Sequence, residues 1–188
     1  KYRNFYNGGG VAIGDVNNDG LADIYLTGNM VPNKLYLNKG DLTFEDISEK
    51  AGVEGNKPWS TGVCMVDINA DGLLDIYVSN AGNMEGNNHD NDLYINNGNL
   101  TFTESAEAYN LAKTGFSTHA AFFDYDKDGL ADIYIGYFGN YLEGELPTLK
   151  RHNTNGSPNK LFRNMGNFRF EDVSEGSGLQ NLGWTQAV

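Results

Sequence analysis

Three stretches of the chain share one pattern: "DVNNDGLAD" from Asp15 to Asp23, "DINADGLLD" from Asp67 to Asp75, and "DYDKDGLAD" from Asp124 to Asp132. Oxygen-bearing side chains stand at positions 1, 3, 5 and 9, with glycine at 6. The sets are Asp15, Asn17, Asp19, Asp23; Asp67, Asn69, Asp71, Asp75; and Asp124, Asp126, Asp128, Asp132. Carboxylates this close repel one another unless a cation sits among them. Side chains at positions 1, 3 and 5 converge only if the backbone curls, which Gly20, Gly72 and Gly129 permit by tolerating positive φ. A hard cation taking about six to eight oxygens fits, completed by water and by the position-7 carbonyls of Leu21, Leu73 and Leu130. Donors that are all oxygen, without His or Cys, point to Ca²⁺ over zinc. The number of carboxylates argues against magnesium, which keeps its waters. Three Ca²⁺ sites are expected.

An EF-hand begins the same way but needs a glutamate at position 12 and flanking helices. Position 12 is Leu26, Val78 or Ile135. The flanks, such as "GGGVAIG" and "IYLTG" or "HAAFF" and "IYIGY", are short, aromatic and β-branched, which reads as strand. Each loop therefore joins two strands, with the position-9 aspartate as its fourth anchor.

The loops recur at 52 and 57 residues, counted from Asp15 to Asp67 and from Asp67 to Asp124. Periods of that size belong to propellers and arrays. A second signature follows each loop: "NKLYLNKGDLTFEDIS" from Asn33, "NDLYINNGNLTFTESA" from Asn91 and "NKLFRNMGNFRFEDVS" from Asn159. Alternating strands around a short glycine-containing turn make a hairpin. Every unit thus holds four strands, with the fourth read as "LTFED", "LTFTE" or "FRFED". The expected fold is all-β, a β-propeller of four-stranded antiparallel blades. The units run over about 7–58, 59–115 and 116–183, with a fourth opening at 184, where Trp184 takes the place of Trp59 and Phe116. Closure takes about four to eight blades, so the chain is expected to be part of a longer polypeptide.

These paired signatures resemble FG-GAP or VCBS repeats, of the kind carried by cartilage acidic proteins and their bacterial relatives and, more distantly, by the integrin α-subunit propeller. The resemblance covers nearly the whole chain, although the Phe-Gly and Gly-Ala-Pro elements that name the repeat are not intact. It implies a propeller of seven blades.

Charge fits the loop reading. Of 25 acidic residues, ten lie in the three loops, and three Ca²⁺ would bring the net charge from −12 to −6. No basic cluster suggests nucleic acid as a partner, and no apolar run approaches the ~18 residues of a membrane span. Calcium loops of extracellular modules bind at about 10⁻⁴–10⁻³ M, which places the protein outside the cell, on its surface or in a bacterial envelope. Cys64 stands where the other units have Ala12 and Ala121, and reads as a small buried side chain. His119 aligns with Gly10 and Gly62 on the innermost strand and is expected to face or pack into the central channel. Asn99 and Asn155 begin glycosylation-type triplets at a frequency close to chance in an Asn-rich chain.

Loops between strands two and three share the face opposite the calcium loops, and they alone vary in length. The distances Asp23–Asn33, Asp75–Asn91 and Asp132–Asn159 are 10, 16 and 27 positions. Repeat proteins place such insertions on one face, often the binding face. Residues 137–158, with Tyr141, Leu142, Leu146, Leu149 and Arg151, are its largest feature. His89, His152 and Arg151 read as solvated loop residues, with no carboxylate partner set by spacing. No catalytic triad or phosphate-cradling loop appears. The expected function is a calcium-stabilised, non-catalytic scaffold that recognises protein or carbohydrate. A polysaccharide lyase or lectin on the same propeller is the alternative.

Overall fold

The computed structural model describes residues 9–81, 90–112, 115–137 and 158–179. Each repeat unit forms its own antiparallel sheet. The first comprises β1 (Val11–Gly14), β2 (Asp23–Leu26), β3 (Lys34–Asn38) and β4 (Phe44–Asp46). A single helical turn, α1 (Ser48–Ala51), leads to the second, with β5 (Ser60–Val66), β6 (Asp75–Asn80), β7 (Asp92–Asn96) and β8 (Phe102–Glu104). The third holds β9 (Ser117–Phe123), β10 (Asp132–Tyr137), β11 (Lys160–Asn164) and β12 (Phe170–Asp172). In every sheet the strands pair in chain order, the meander of a propeller blade. The all-β, four-stranded blade expected from the repeat is the fold observed.

The apolar cores lie between sheets, because alternate residues of a strand face opposite neighbours. Ala12, Tyr25, Leu35 and Leu37 of the first sheet pack on Val63, Ile76, Val78, Tyr94 and Phe102 of the second. The other face of the second sheet, with Tyr77 and Leu93, packs on Ile133, Ile135, Phe162 and Phe170 of the third. Each Val, Leu, Ile or Phe among them contributes about 1.5–3 kcal/mol when fully buried. The first sheet shows the same face uncovered. Val11, equivalent to Val63, is 58% exposed against 4%, and Phe44, equivalent to Phe102, is 42% exposed against 8%.

The innermost strands lie side by side. The Gly10 amide donates to the Thr61 carbonyl at 2.7 Å, and the Thr61 hydroxyl donates to the Ser117 carbonyl at 2.9 Å. A Cβ on Gly62 would stand 2.6 Å from the Thr118 carbonyl oxygen, so only glycine permits this approach. His119 packs there as expected, its ring against Gly62, and desolvation lowers its pKa. Cys64, half-buried in the same layer, donates its thiol to the Ala120 carbonyl, and desolvation raises its pKa to about 11.

Two details differ from the sequence reading. The fourth strands begin at Phe44, Phe102 and Phe170, not two residues earlier, because Leu42, Leu100 and Phe168 have φ of 59°, 62° and 61° and belong to the turn. In the first and third hairpins Asp41-Leu42 and Asn167-Phe168 both have positive φ, the type I′ requirement. The helical turn α1 was not expected. Ser48 starts it by donating its amide to Asp46 Oδ1 at 3.0 Å, and Gly52, at φ 75°, ends it.

Candidate metal centres

The three loops wrap alike. In the first, Asp15 accepts the Asp19 amide at 3.1 Å and the Gly20 amide at 2.7 Å, one on each carboxylate oxygen. Asn17 Oδ1 accepts the Asp19 amide at 3.2 Å, and Asp19 Oδ1 accepts the Leu21 amide at 2.8 Å. The second loop repeats these contacts with Asp67, Asn69 and Asp71, and the third with Asp124, Asp126 and Asp128. Backbone N–H groups thus turn the oxygens of positions 1, 3 and 5 toward one centre while Gly20, Gly72 and Gly129 hold φ between 86° and 90°. In the third loop, oxygens of Asp124, Asp126 and Asp128 lie within 4.8 Å of one another. A cluster of hard oxygen donors at that spacing suits a calcium-sized ion.

Position 9 is different. Asp23, Asp75 and Asp132 are fully buried, and both oxygens of each already accept backbone amides. Asp23 takes the Val16 amide at 2.9 Å and the Asn38 amide at 2.8 Å. Asp75 takes those of Ile68 and Asn96, and Asp132 those of Tyr125 and Asn164. The close acidic group of the third loop does not include Asp132. These aspartates pin the loop to the third strand, leaving one lone pair per oxygen for a cation.

The electrostatics separate the two kinds of carboxylate. Desolvation pulls the Asp15 pKa up, but the amides of Gly20, Asp19, Asn17 and Asn18 outweigh it and hold the group below its usual range. Desolvation raises Asp23 and Asp132, and raises Asp75 to about 6, with the neighbouring loop carboxylates adding to the rise. A cation would relieve that repulsion.

The partner in this arrangement that the sequence reading passed over is the asparagine closing each third strand. Asn38, Asn96 and Asn164 donate their backbone amide to the position-9 aspartate. Their side-chain oxygens accept the amides of Gly40, Gly98 and Gly166 in the hairpin turn. Asn96 Nδ2 also reaches the Val16 carbonyl in the preceding sheet at 2.8 Å, and Asn164 Nδ2 reaches Ile68 at 3.2 Å. The first and second loops are therefore bolted to the next sheet through their position-2 carbonyls. The signal was present, since an asparagine stands first in "NKGD", "NNGN" and "NMGN".

A profile of the FG-GAP-like repeat matches residues 15–78 and 81–135, more than half of the chain. The chain belongs to the FG-GAP-like repeat family. Among relatives of this FG-GAP-like chain, cartilage acidic protein 1 of Xenopus tropicalis is 36% identical over 128 residues, 66% of this chain and 19% of that protein. The Homo sapiens protein of the same name is 38% identical over 76 residues, 40% of this chain and 12% of that protein. The chain therefore spans about a fifth, or less, of the length of these relatives. The remaining sequence candidates of these FG-GAP-like repeats divide in two. Asn99 is exposed at the second hairpin turn, its Oδ1 accepting the Thr101 amide at 3.1 Å. The expected binding loop with Tyr141, Leu142, Leu146, Leu149 and Arg151 lies outside the described residues, as do His89, His152, Asn155 and Trp184. Among the described residues no helix is long and apolar enough to cross a membrane.

Proposed function

We propose that this segment is a calcium-stabilised, non-catalytic recognition or adhesion scaffold of a secreted or cell-surface protein. The observation that carries the reading is the threefold loop in which backbone amides converge oxygens of positions 1, 3 and 5, the first two loops being gripped from behind by the next sheet. Ca²⁺ in each loop would neutralise the acidic turn that joins the two inner strands of a blade. Asp15, Asn17, Asp19 and Asp23, with the Leu21 carbonyl, are the proposed ligands of the first site, and the equivalent residues those of the other two. The blade units are proposed as about 7–58, 59–115 and 116–183 within a larger propeller, supported by the uncovered Val11 and Phe44 face. An extracellular setting is supported by the low-affinity class of such loops and by relatives named for cartilage. The partner, protein or glycan, is proposed to bind opposite the calcium loops.

A thermal unfolding series in EDTA and in rising calcium tests the reading. Ligand binding to the native state alone adds RT ln(1 + [L]/Kd), about 1.4 kcal/mol per site at ~10 Kd. A melting temperature that rises with calcium at millimolar concentration is expected. No rise would remove calcium from the function.

A further inference from the structure

The third loop departs from the other two at two positions at once, and the departures meet. Position 3 is Asn17 and Asn69 in the first two loops but Asp126 in the third. The residue before the strand-closing asparagine is Leu37 and Ile95 in the first two sheets but Arg163 in the third. Leu37 is buried in the core between sheets and Ile95 packs against the next core. Arg163 instead reaches into the loop. Its Nη2 lies 2.6 Å from Asp126 Oδ2, an ion pair out of hydrogen-bond alignment, and donates to Asp128 Oδ2 at 3.4 Å.

The first two loops show what that guanidinium replaces. Asn17 Nδ2 donates to Asp19 Oδ2 at 2.9 Å, and Asn69 Nδ2 donates to Asp71 Oδ2 at 2.9 Å. Asp126 has no N–H to give, so two bare carboxylate oxygens face one another where the others have a hydrogen bond. Arg163 inserts its N–H groups and one positive charge between them. The extra carboxylate of Asp126 is thus matched by one guanidinium, while Lys127, exposed at position 4, is a further positive charge of the third loop where the others have Asn18 and Ala70.

We propose that Arg163 sets the calcium affinity of the third site, acting as an internal counter-cation that offsets the extra carboxylate of Asp126. The inference rests on the calcium reading of the loops. A unit charge a few ångströms from a divalent ion, in surroundings close to water, changes affinity by about tenfold. Arg163 is a positioning and tuning residue, since its charge acts through Asp126 and Asp128.

Site-resolved calcium titration of the full chain by amide NMR tests this. The Gly129 amide, which donates to Asp124 at 3.0 Å, reports the third loop, and the Gly20 and Gly72 amides report the others. In Arg163→Leu, which copies Leu37, and in Arg163→Gln, the Gly129 midpoint is expected at about tenfold lower calcium, with Gly20 and Gly72 unmoved. Asp126→Asn alone should raise that midpoint, and the pair Arg163→Leu with Asp126→Asn should return it to the level of the unsubstituted chain. In EDTA, Arg163→Leu should lower the melting temperature, and the double substitution should restore it. A Gly129 midpoint unchanged or raised in both Arg163 variants overturns the proposal. If instead no glycine amide of the unsubstituted chain responds to calcium, the calcium reading itself is overturned.

Discussion

At Asp75 one side chain serves two purposes that can be separated by experiment. Both of its oxygens accept buried amides, from Ile68 at 3.1 Å and Asn96 at 2.8 Å, whether or not a cation is near. In Asp75→Asn the amide nitrogen would confront one of those N–H groups. Leaving a buried donor unsatisfied costs about 1–3 kcal/mol. That loss is expected in EDTA as well as in calcium, whereas Asp71→Asn, on the exposed rim, should lower stability only when calcium is present. Equal stability of Asp75→Asn and the unsubstituted chain in EDTA would contradict the pinning role. Asp92 offers a pH signature away from the loops. Burial raises its pKa from 3.8 to about 6, opposed by the Asn80 amide and by Lys57 at 4.0 Å. The folded state therefore holds a proton that the unfolded state has lost between those values, and this group makes stability fall as pH rises through that window. About two pKa units correspond to at most about 3 kcal/mol. Unfolding from pH 4 to 7 in saturating calcium should show this slope flattened in Asp92→Asn. An unchanged slope would assign the pH dependence elsewhere. The sequence showed the loop aspartates plainly because their spacing repeats. It did not show that position 9 is spoken for by backbone amides, because one donor of each pair comes from Asn38, Asn96 or Asn164, fifteen or more residues away, and the other from the backbone of position 2, which carries no side-chain signal.

Among the elements, the hairpin between strands three and four was read for its glycine, yet its chemistry lies in the asparagine before it. Asn96 binds its own turn, its own loop and the loop of the preceding sheet. Asn38 makes the first two contacts, to Gly40 and Ala22. Asn96→Ala is thus expected to cost about 1 kcal/mol more than Asn38→Ala, the worth of one further buried hydrogen bond. Chemical denaturation of the two variants side by side measures this, and equal losses would deny the bolt between sheets. The fourth strands were drawn two residues too long for a related reason. Leu42 is apolar and follows the strand alternation, but the turn holds it at φ 59° and leaves it 94% exposed. Hydrophobic pattern reports burial in an assembled neighbour, not backbone geometry, so a turn residue that fits the alternation is invisible to it.

At the largest scale, period and pattern were enough to place the twelve strands of the described residues in three blades, since one unit's geometry is repeated with its neighbour as its core. The partner proposed for the opposite face was not legible, because no repeat constrains those loops. The stacking gives a test. Val63→Asp, between the first and second sheets, should cost several kcal/mol as an unpaired charge in a core. Val11→Asp, its equivalent on the uncovered face, should shift the stability of this 188-residue chain by less than about 0.5 kcal/mol. Melting curves showing comparable losses would mean that the first face is covered by something in this chain. The bolts between sheets all point one way along the chain, from a later asparagine back to an earlier loop. Val16 waits for Asn96, 80 residues on, and Ile68 for Asn164, 96 residues on. At a synthesis rate of about 5–20 residues per second, each loop spends about 4–20 s outside the ribosome before its clasp is made. Assembly is therefore a matter of timing as well as geometry: each of the first two blades is finished by the next, and an early loop is a promise kept only when later sequence arrives.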